Sequence, residues 1–317
     1  MACGVPVIQG LPSRVRIRLT GGCGPWTRAR RCETSRHGRK RAVGVMEASR
    51  STPEIRLARV TGYGELLGAL LRREIRARYR GSVLGVAWSY VNPLLMMGVY
   101  TLVFSVLWKA VSIEHYPLFV LSGLVVWVFF QGAIQMGTSS LVGNANLITK
   151  IWFPREVIPI AVVLAQAVSA VVILVVVVPV NLVVVPENWR TFLLAVPILA
   201  ALTCLALGLG MFLATANVFF RDVEHFVGVL MLPWFFLTPV FYSLEQLPGA
   251  AGHPLLVDVL RYGNPVTPYV EGIRATILQA MVPGPGALAY IFLVGPLIAL
   301  AGLWVLQRYD DRLAVEL

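Results

Sequence analysis

The chain has 317 residues, of which 57% are hydrophobic and 14% charged, and its mean hydropathy is +0.74. Soluble domains carry about 25% charged residues, so this composition excludes an ordinary soluble domain and indicates a membrane protein. The net charge of +11 comes mostly from residues 1–45, which contain ten of the 27 Lys and Arg residues and one acid, a net of +9. Because the remaining residues carry a net of +2, no nucleic-acid partner is expected.

Residues 1–45 form a basic leader. We expect this leader either to be disordered or to result from a misplaced start codon, in which case the protein would begin at Met46. A basic tail of this kind can also bind anionic lipid. The leader lacks the apolar run of about 7–15 residues that a signal peptide needs. Its three cysteines do not have the spacing of common zinc modules, so no metal site is expected.

The stretch from Glu65 to Arg80 repeats leucine at helical spacing and fills the other positions with arginine. This pattern predicts an amphipathic helix in the membrane interface, with leucines in the acyl boundary and arginines at lipid phosphates. The arginines assigned to lipid phosphates are Arg72, Arg76, Arg78 and Arg80. A soluble helix that packs on a partner is the alternative, but a membrane span follows at once and favours the interface. Residues 46–82 are therefore a cytosolic segment that ends in this helix.

Six apolar stretches without Lys, Arg, Asp, Glu or His follow within residues 83–317 and predict an all-α polytopic membrane protein with six transmembrane helices. The predicted spans cover about residues 83–107, 118–136, 158–185, 192–216, 226–242 and 288–306. Asn92-Pro93 predicts a kink in the first span. The fifth span is short and contains Pro233 and Pro239, so we expect a broken helix or a continuation into re-entrant structure.

The segment 243–286 is rich in proline and too long for an ordinary connection between two spans. Leu255–Leu260 and Tyr269–Met281 are moderately apolar, but Asp258, Glu271 and Arg274 argue against full spans. We expect short re-entrant or outer-leaflet helices here, because irregular backbone at this depth must be covered by protein or by a water-filled cavity.

The basic residues predict the orientation of the chain. With a cytosolic N-terminus, the inside segments hold 13 Lys and Arg residues beyond the leader and the outside segments hold four. Both termini are therefore expected in the cytoplasm.

The charge-free spans argue against proton- or sodium-coupled carriers, which need ionisable groups inside the membrane. A membrane enzyme would need clustered acids or histidines at a membrane face, and Asp222, Glu224 and His225 are the only candidates of that kind. No filter-like motif indicates a channel. Energy for transport is therefore expected to arrive from outside the bilayer, through a loop.

Two cytosolic loops are candidates for that contact. The loop between spans two and three sets aromatic residues among charges, as a protein-docking helix requires, and the turn between spans four and five has a similar composition. The predicted coupling residues are Lys150, Trp152, Phe153, Pro154, Arg155, Glu156, Arg221 and Asp222. The alternatives are membrane-interface anchors in the first loop and a capped turn with a local ion pair in the second.

The chain resembles the membrane subunit of polysaccharide-exporting ABC transporters of the type-2 permease class, which handle O-antigens, capsules, teichoic acids and galactan. The segments that carry the resemblance are residues 78–85 with Trp88 and residues 92–94, residues 147–156, residues 220–223 and residues 264–265. The leader has no counterpart in that pattern.

The resemblance implies a homodimer in the bacterial plasma membrane with a channel between the protomers and a lipid-linked glycan as substrate. It also implies two separate ATPase subunits that bind ATP and Mg, with residues 150–156 as the coupling helix. The chain has no Gly-x-x-x-x-Gly-Lys-Ser/Thr loop, so we expect neither a cofactor nor catalysis on this chain.

A glycan path needs aromatic faces for sugar stacking and uncharged polar partners for hydroxyl groups. The candidate channel-lining residues are Tyr90, Tyr100, Phe104, Trp127, Phe130, Gln131 and Gln135. Packing against helices or an interface belt is the alternative role for these aromatics. A type-2 permease for a drug or small lipid remains the alternative function.

Overall fold

The computed structural model describes residues 53–83, 85–107, 113–148, 154–246 and 254–316, and all its regular elements within these ranges are helices. The α-helices are α1 Pro53–Tyr79, α2 Trp88–Tyr100, α3 Tyr116–Gly143, α4 Ala145–Ile148, α5 Val157–Val184, α6 Ala195–Phe219, α7 Asp222–Leu237, α8 Pro254–Tyr262, α9 Thr267–Ile277, α10 Pro285–Arg308 and α11 Asp310–Glu316. This confirms an all-α polytopic membrane protein. The predicted leader 1–45 lies outside the described residues.

Five described helices are long and apolar enough to cross a membrane: Trp88–Leu107, Tyr116–Gly143, Val157–Val184, Phe192–Phe219 and Pro285–Arg308. They correspond to predicted spans one, two, three, four and six. The second and fourth extend by about two turns and one turn beyond their predicted C-terminal ends, and the first begins five residues later than predicted. The first continues from α2 into a π-helix at Thr101–Leu107, and Pro93 lies inside α2 as expected.

The fifth predicted span is α7, which has 16 residues and is about 24 Å long. This is shorter than the ~30 Å hydrocarbon core. Five of the described helices are therefore full spans, and a membrane crossing by α7 stays a prediction. The helix ends at Thr238, whose extended backbone (ψ of 130°) is the conformation that a following proline favours, and Pro239 is that residue.

Helix α6 and helix α10 approach each other so closely that glycine is required at the contact. A Cβ added at Gly302 would overlap the backbone of Gly208, and a Cβ added at Gly208 would overlap the carbonyl of Ile298. Two turns closer to the N-terminus of α10, Gly295 lies against the Ala201 carbonyl in the same way. Small residues of this kind allow membrane helices to pack backbone to backbone, and this contact holds span four against span six.

Helix α1 packs along the N-terminal half of α5. Leu70 is buried in a cluster with Leu141 and Ile158, and Leu66 and Leu67 pack against that cluster. The helix is present as predicted, but these leucines contact the protein core, whereas the sequence pattern placed them in the acyl boundary. Hydrophobic periodicity identifies the apolar face of a helix and does not distinguish lipid from a neighbouring helix as its partner.

The outer region contains the two short helices that the sequence predicted, α8 and α9. Helix α9 is almost entirely buried against the ends of α3, α6 and α10. An ion pair between Arg261 Nε and Glu271 Oε2, 2.9 Å apart, joins α8 to α9. Glu271 and Arg274, two of the three polar residues that argued against full spans, therefore join the short helices to each other and to the bundle.

Candidate functional site

The loop after α3 carries the first group of predicted coupling residues. Lys150, Trp152 and Phe153 lie outside the described residues, and Pro154 and Glu156 are half-buried beside the start of α5. Arg155 is held by the C-terminal segment: its Nη1 donates to Asp310 Oδ1 at 2.7 Å and also to the Asp310 carbonyl oxygen. The Arg155 side chain is only 13% exposed, so it faces the protein itself, and its contact with an ATPase stays a prediction.

The turn between α6 and α7 carries the second group. Arg221 and Asp222 are exposed, as is the neighbouring Phe220. The turn is also capped, because the buried Asn217 accepts a hydrogen bond from the backbone N–H of Glu224 through Oδ1 at 3.1 Å. The capped-turn alternative is therefore correct for the backbone, while no ion pair between described residues involves Arg221 or Asp222.

The segment Tyr309–Asp310 connects the two predicted coupling segments. Asp310 pairs with Arg155 of the first, and the Tyr309 ring packs edge-on against Phe219 of the second, with ring centroids 5.8 Å apart. Sequence reasoning did not identify this link. The available signal was the acidic pair Asp310-Asp311 directly after span six, in a cytosolic region otherwise rich in arginine.

The arginines of α1 divide into two classes. Arg72, Arg76 and Arg80 are exposed, which is compatible with the predicted contact to lipid phosphates. Arg78 is half-buried and donates through Nη1 to Gln166 Oε1 and Ser169 Oγ of α5, each at 2.9 Å. The guanidinium of Arg78 is therefore held by side chains of α5, whereas the exposed arginines have side chains that are open to their surroundings.

A groove of about 410 Å³ runs between α2, α3 and α7. Four candidate channel residues line it, namely Tyr100, Trp127, Gln131 and Gln135. Within the groove, Trp127 Nε1 donates to Gln131 Oε1 at 3.0 Å. No charged side chain is among the described residues that line it.

The other three candidate channel residues lie elsewhere. Phe130 is fully buried and packs edge-on against Trp234 at 5.3 Å between centroids. Tyr90 donates its hydroxyl to the Val172 carbonyl, on the side of α2 that faces α5. Phe104 stacks on Phe241 at 5.0 Å. Composition identified these aromatics but not their direction, because α3 buries residues all round its circumference.

Hydrogen bonds hold the break in the backbone that follows α7. Asn264 Oδ1 accepts from Trp234 Nε1 at 3.0 Å, and Asn264 Nδ2 donates to Thr238 Oγ1 at 2.9 Å. The buried Arg274 donates to the Val240 carbonyl and stacks over the Phe119 ring, 3.5 Å from its centroid. Arg274 thus satisfies the Pro239 and Val240 carbonyls of the irregular backbone after α7, as is required at membrane depth, while the Asn264 bonds hold the side chains around it.

Replacing Asn264 with alanine is expected to loosen this break. The change removes the acceptor of Trp234 Nε1 and of the Val266 backbone N–H, at a cost of about 1–3 kcal/mol for each unsatisfied buried group. The Thr238 hydroxyl keeps its bond to the Trp234 carbonyl. The purified protein should show a clearly lower thermal unfolding midpoint. Asn264→Asp keeps the acceptor and should lose less, and Asn146→Ala, at an exposed site, should change nothing. An unchanged midpoint for Asn264→Ala would show that these bonds do not hold the break.

Comparison with known proteins places this arrangement in a family. The sequence profile of ABC-2 type transporters matches residues 65–278. The chain belongs to the ABC-2 type transporter family. This ABC-2 chain is 34% identical over 257 residues to the O-antigen export system permease protein RfbA of Myxococcus xanthus, covering 79% of this chain and 92% of the relative.

Other relatives of the ABC-2 chain are more distant. It is 27% identical over 260 residues to the capsule polysaccharide export inner-membrane protein CtrC of Neisseria meningitidis, covering 77% of this chain and 91% of the relative. It is 23% identical over 257 residues to the polysialic acid transport protein KpsM of Escherichia coli, covering 77% and 93%. The profile match contains both predicted coupling segments and the groove, while Tyr309–Asp310 lies beyond it.

Proposed function

We propose that this chain is the membrane subunit of an ATP-driven exporter that moves a lipid-linked polysaccharide from the cytoplasm across the bacterial plasma membrane. The observation that carries the proposal is the groove between α2, α3 and α7, whose described lining combines aromatic and amide side chains without a charge. Such a wall offers stacking faces and hydrogen-bond partners to sugar units but no deep well for an ion. The names of the relatives, which export O-antigen, capsule and polysialic acid, support the same substrate class.

A second copy of the chain would complete the path. The α2 side of the groove is largely uncovered, and Leu95, Val99 and Leu102 each expose more than half of their surface. On α7, Val229 and Leu232 are similarly exposed, at 75% and 66%. A homodimer that places these faces opposite each other would turn two open grooves into a closed channel.

Two ATPase subunits would supply the energy from the cytoplasmic side, with ATP and Mg bound there. The loop at residues 150–156 and the exposed Arg221 and Asp222 would contact them. Arg155 would stabilise the loop, because its side chain forms an ion pair with Asp310. The exposed Arg72, Arg76 and Arg80 would attract the phosphates of lipid at the cytoplasmic surface.

Depletion of the protein in its native bacterium tests the proposed function. The expected result is accumulation of a polyprenyl-linked polymer inside the cell and its loss from the surface, measured by extraction and analysis of lipid-linked glycans from each side of the membrane. Re-expression of the intact chain should restore the surface polymer. Unchanged glycans together with altered sensitivity to a drug or small lipid would instead assign the chain to the other branch of type-2 permeases.

A further inference from the structure

A pocket of about 290 Å³ lies between the end of α1, the start of α2 and the middle of α5. The described residues that line it include Arg78, Trp88, Asn92, Gln166 and Ser169. Gln166 and Ser169 fix the guanidinium of Arg78 from one side, and Gly132 of α3 leaves the space that the Gln166 side chain occupies. Arg78 is therefore positioned by a built set of neighbours.

The positive charge of Arg78 has no acidic partner among the described residues. None of the three ion pairs in the described part of the chain involves it, and no carboxylate lines the pocket. Its hydrogen bonds to Gln166, Ser169 and the Met136 sulfur use three of its five N–H groups, and the Tyr79 hydroxyl interacts with the same guanidinium, so at least one N–H group remains for a ligand. A half-buried guanidinium with unused donors and neutral neighbours is a site for an anion.

The depth of the pocket identifies the kind of anion. No residue of α5 before Val168 is exposed, whereas exposed valines follow from Val168 to Val184. That stretch of 17 residues measures about 26 Å, close to the thickness of the hydrocarbon core. Ser169 thus lies where the exposed apolar surface of α5 begins, in contact with the arginine-rich end of α1, and this is the position expected for lipid headgroups. The half-exposed Trp88 at the pocket is typical of the same level.

We propose that the pocket around Arg78 binds the phosphate of a membrane lipid at the cytoplasmic leaflet. The free N–H groups of Arg78 donate to the phosphate oxygens, Gln166 and Ser169 position the guanidinium, and the lipid chain lies along the exposed valines of α5. That this phosphate belongs to the lipid anchor of the exported polymer rests on the proposed function. The binding site itself does not.

The test uses the full-length protein in lipid nanodiscs with tritiated polyprenyl phosphate as the probe. Retention of the probe should fall about tenfold in Arg78→Gln, because a charge-assisted bond to phosphate is lost while the polar volume is kept. Arg78→Lys should fall less, since it keeps the charge. Arg73→Gln is the matched control, since Arg73 lies on the same helix, is exposed and donates to Asn144 Oδ1, which does not line the pocket, and its retention should stay within about twofold.

Two further arms decide the source and the chemistry of the ligand. Polyprenol, which lacks the phosphate, should not compete, and competition by polyprenol equal to that by polyprenyl phosphate would overturn the site. Phosphatidylglycerol that competes as well as polyprenyl phosphate would confirm a phosphate site but overturn the assignment to the cargo anchor. Ser169→Ala removes one of the bonds that position Arg78 and should weaken retention of the probe. This variant keeps the test open if Arg78→Gln does not fold. Retention equal to wild type in Ser169→Ala and in folded Arg78→Gln would refute the proposal. If the probe does not bind at Arg78 but depletion of the protein still causes lipid-linked polymer to accumulate inside the cell, the proposed function stands and only the phosphate site is refuted.

Discussion

Reversing the charge of either Arg155 or Asp310 alone is expected to reduce transport at least tenfold, and exchanging the two charges should restore most of it. Arg155→Asp brings two carboxylates to a contact where the present ion pair has 2.7 Å between its atoms, and like charges at such a distance repel strongly. The pair joins the loop after α3 to the end of span six, so its loss should separate ATP hydrolysis from export. Stability should fall by only about 1 kcal/mol, because Asp310 is partly exposed.

The measurement is surface glycan in cells and ATPase stimulation in the reconstituted transporter for Arg155→Asp, Asp310→Arg and the double exchange. Asp311→Arg is the control, because it makes the same change of charge at the neighbouring exposed position. If Asp311→Arg is as damaging as Asp310→Arg, the effect arises from net charge at the C-terminal segment. If the double exchange remains inactive, Arg155 has a second partner, such as the ATPase.

A single methyl group at Gly302 is expected to destabilise the bundle by about 2–3 kcal/mol, the usual cost of overpacking. The added Cβ would lie 2.8 Å from Gly208 Cα, closer than real carbon atoms approach, and the atom it meets is backbone that cannot rotate away. Span four and span six would have to separate along their closest contact. The expected result is a low yield of monodisperse protein and a much lower thermal midpoint for Gly302→Ala.

Gly286→Ala supplies a matched control in the same helix, since nothing lies within 4 Å of a Cβ built at that position. It should change stability by less than about 1 kcal/mol, or raise it slightly through helix propensity. A thermal midpoint for Gly302→Ala equal to that of the Gly286→Ala control would show that the two helices can move apart at little cost.

The sequence by itself determined the membrane class, the helical spans and the short outer helices. These features depend on local properties, because apolar length decides whether a helix can cross the bilayer and proline decides where it ends. The shortened fifth helix and the break at Pro239 were predicted for that reason. The motifs that resemble type-2 permeases also depend on local sequence, and the family match confirms them.

Only the tertiary structure decided which neighbour each side chain meets. Arg78 and the exposed Arg76 have the same residue type and helix, yet only Arg78 reaches Gln166 and Ser169, which lie about 90 residues away in the chain. Arg155 is paired with Asp310 across 155 positions. Helical periodicity specifies a face of one helix, whereas the partner of that face depends on how all the helices pack, and this information is distributed over the whole chain.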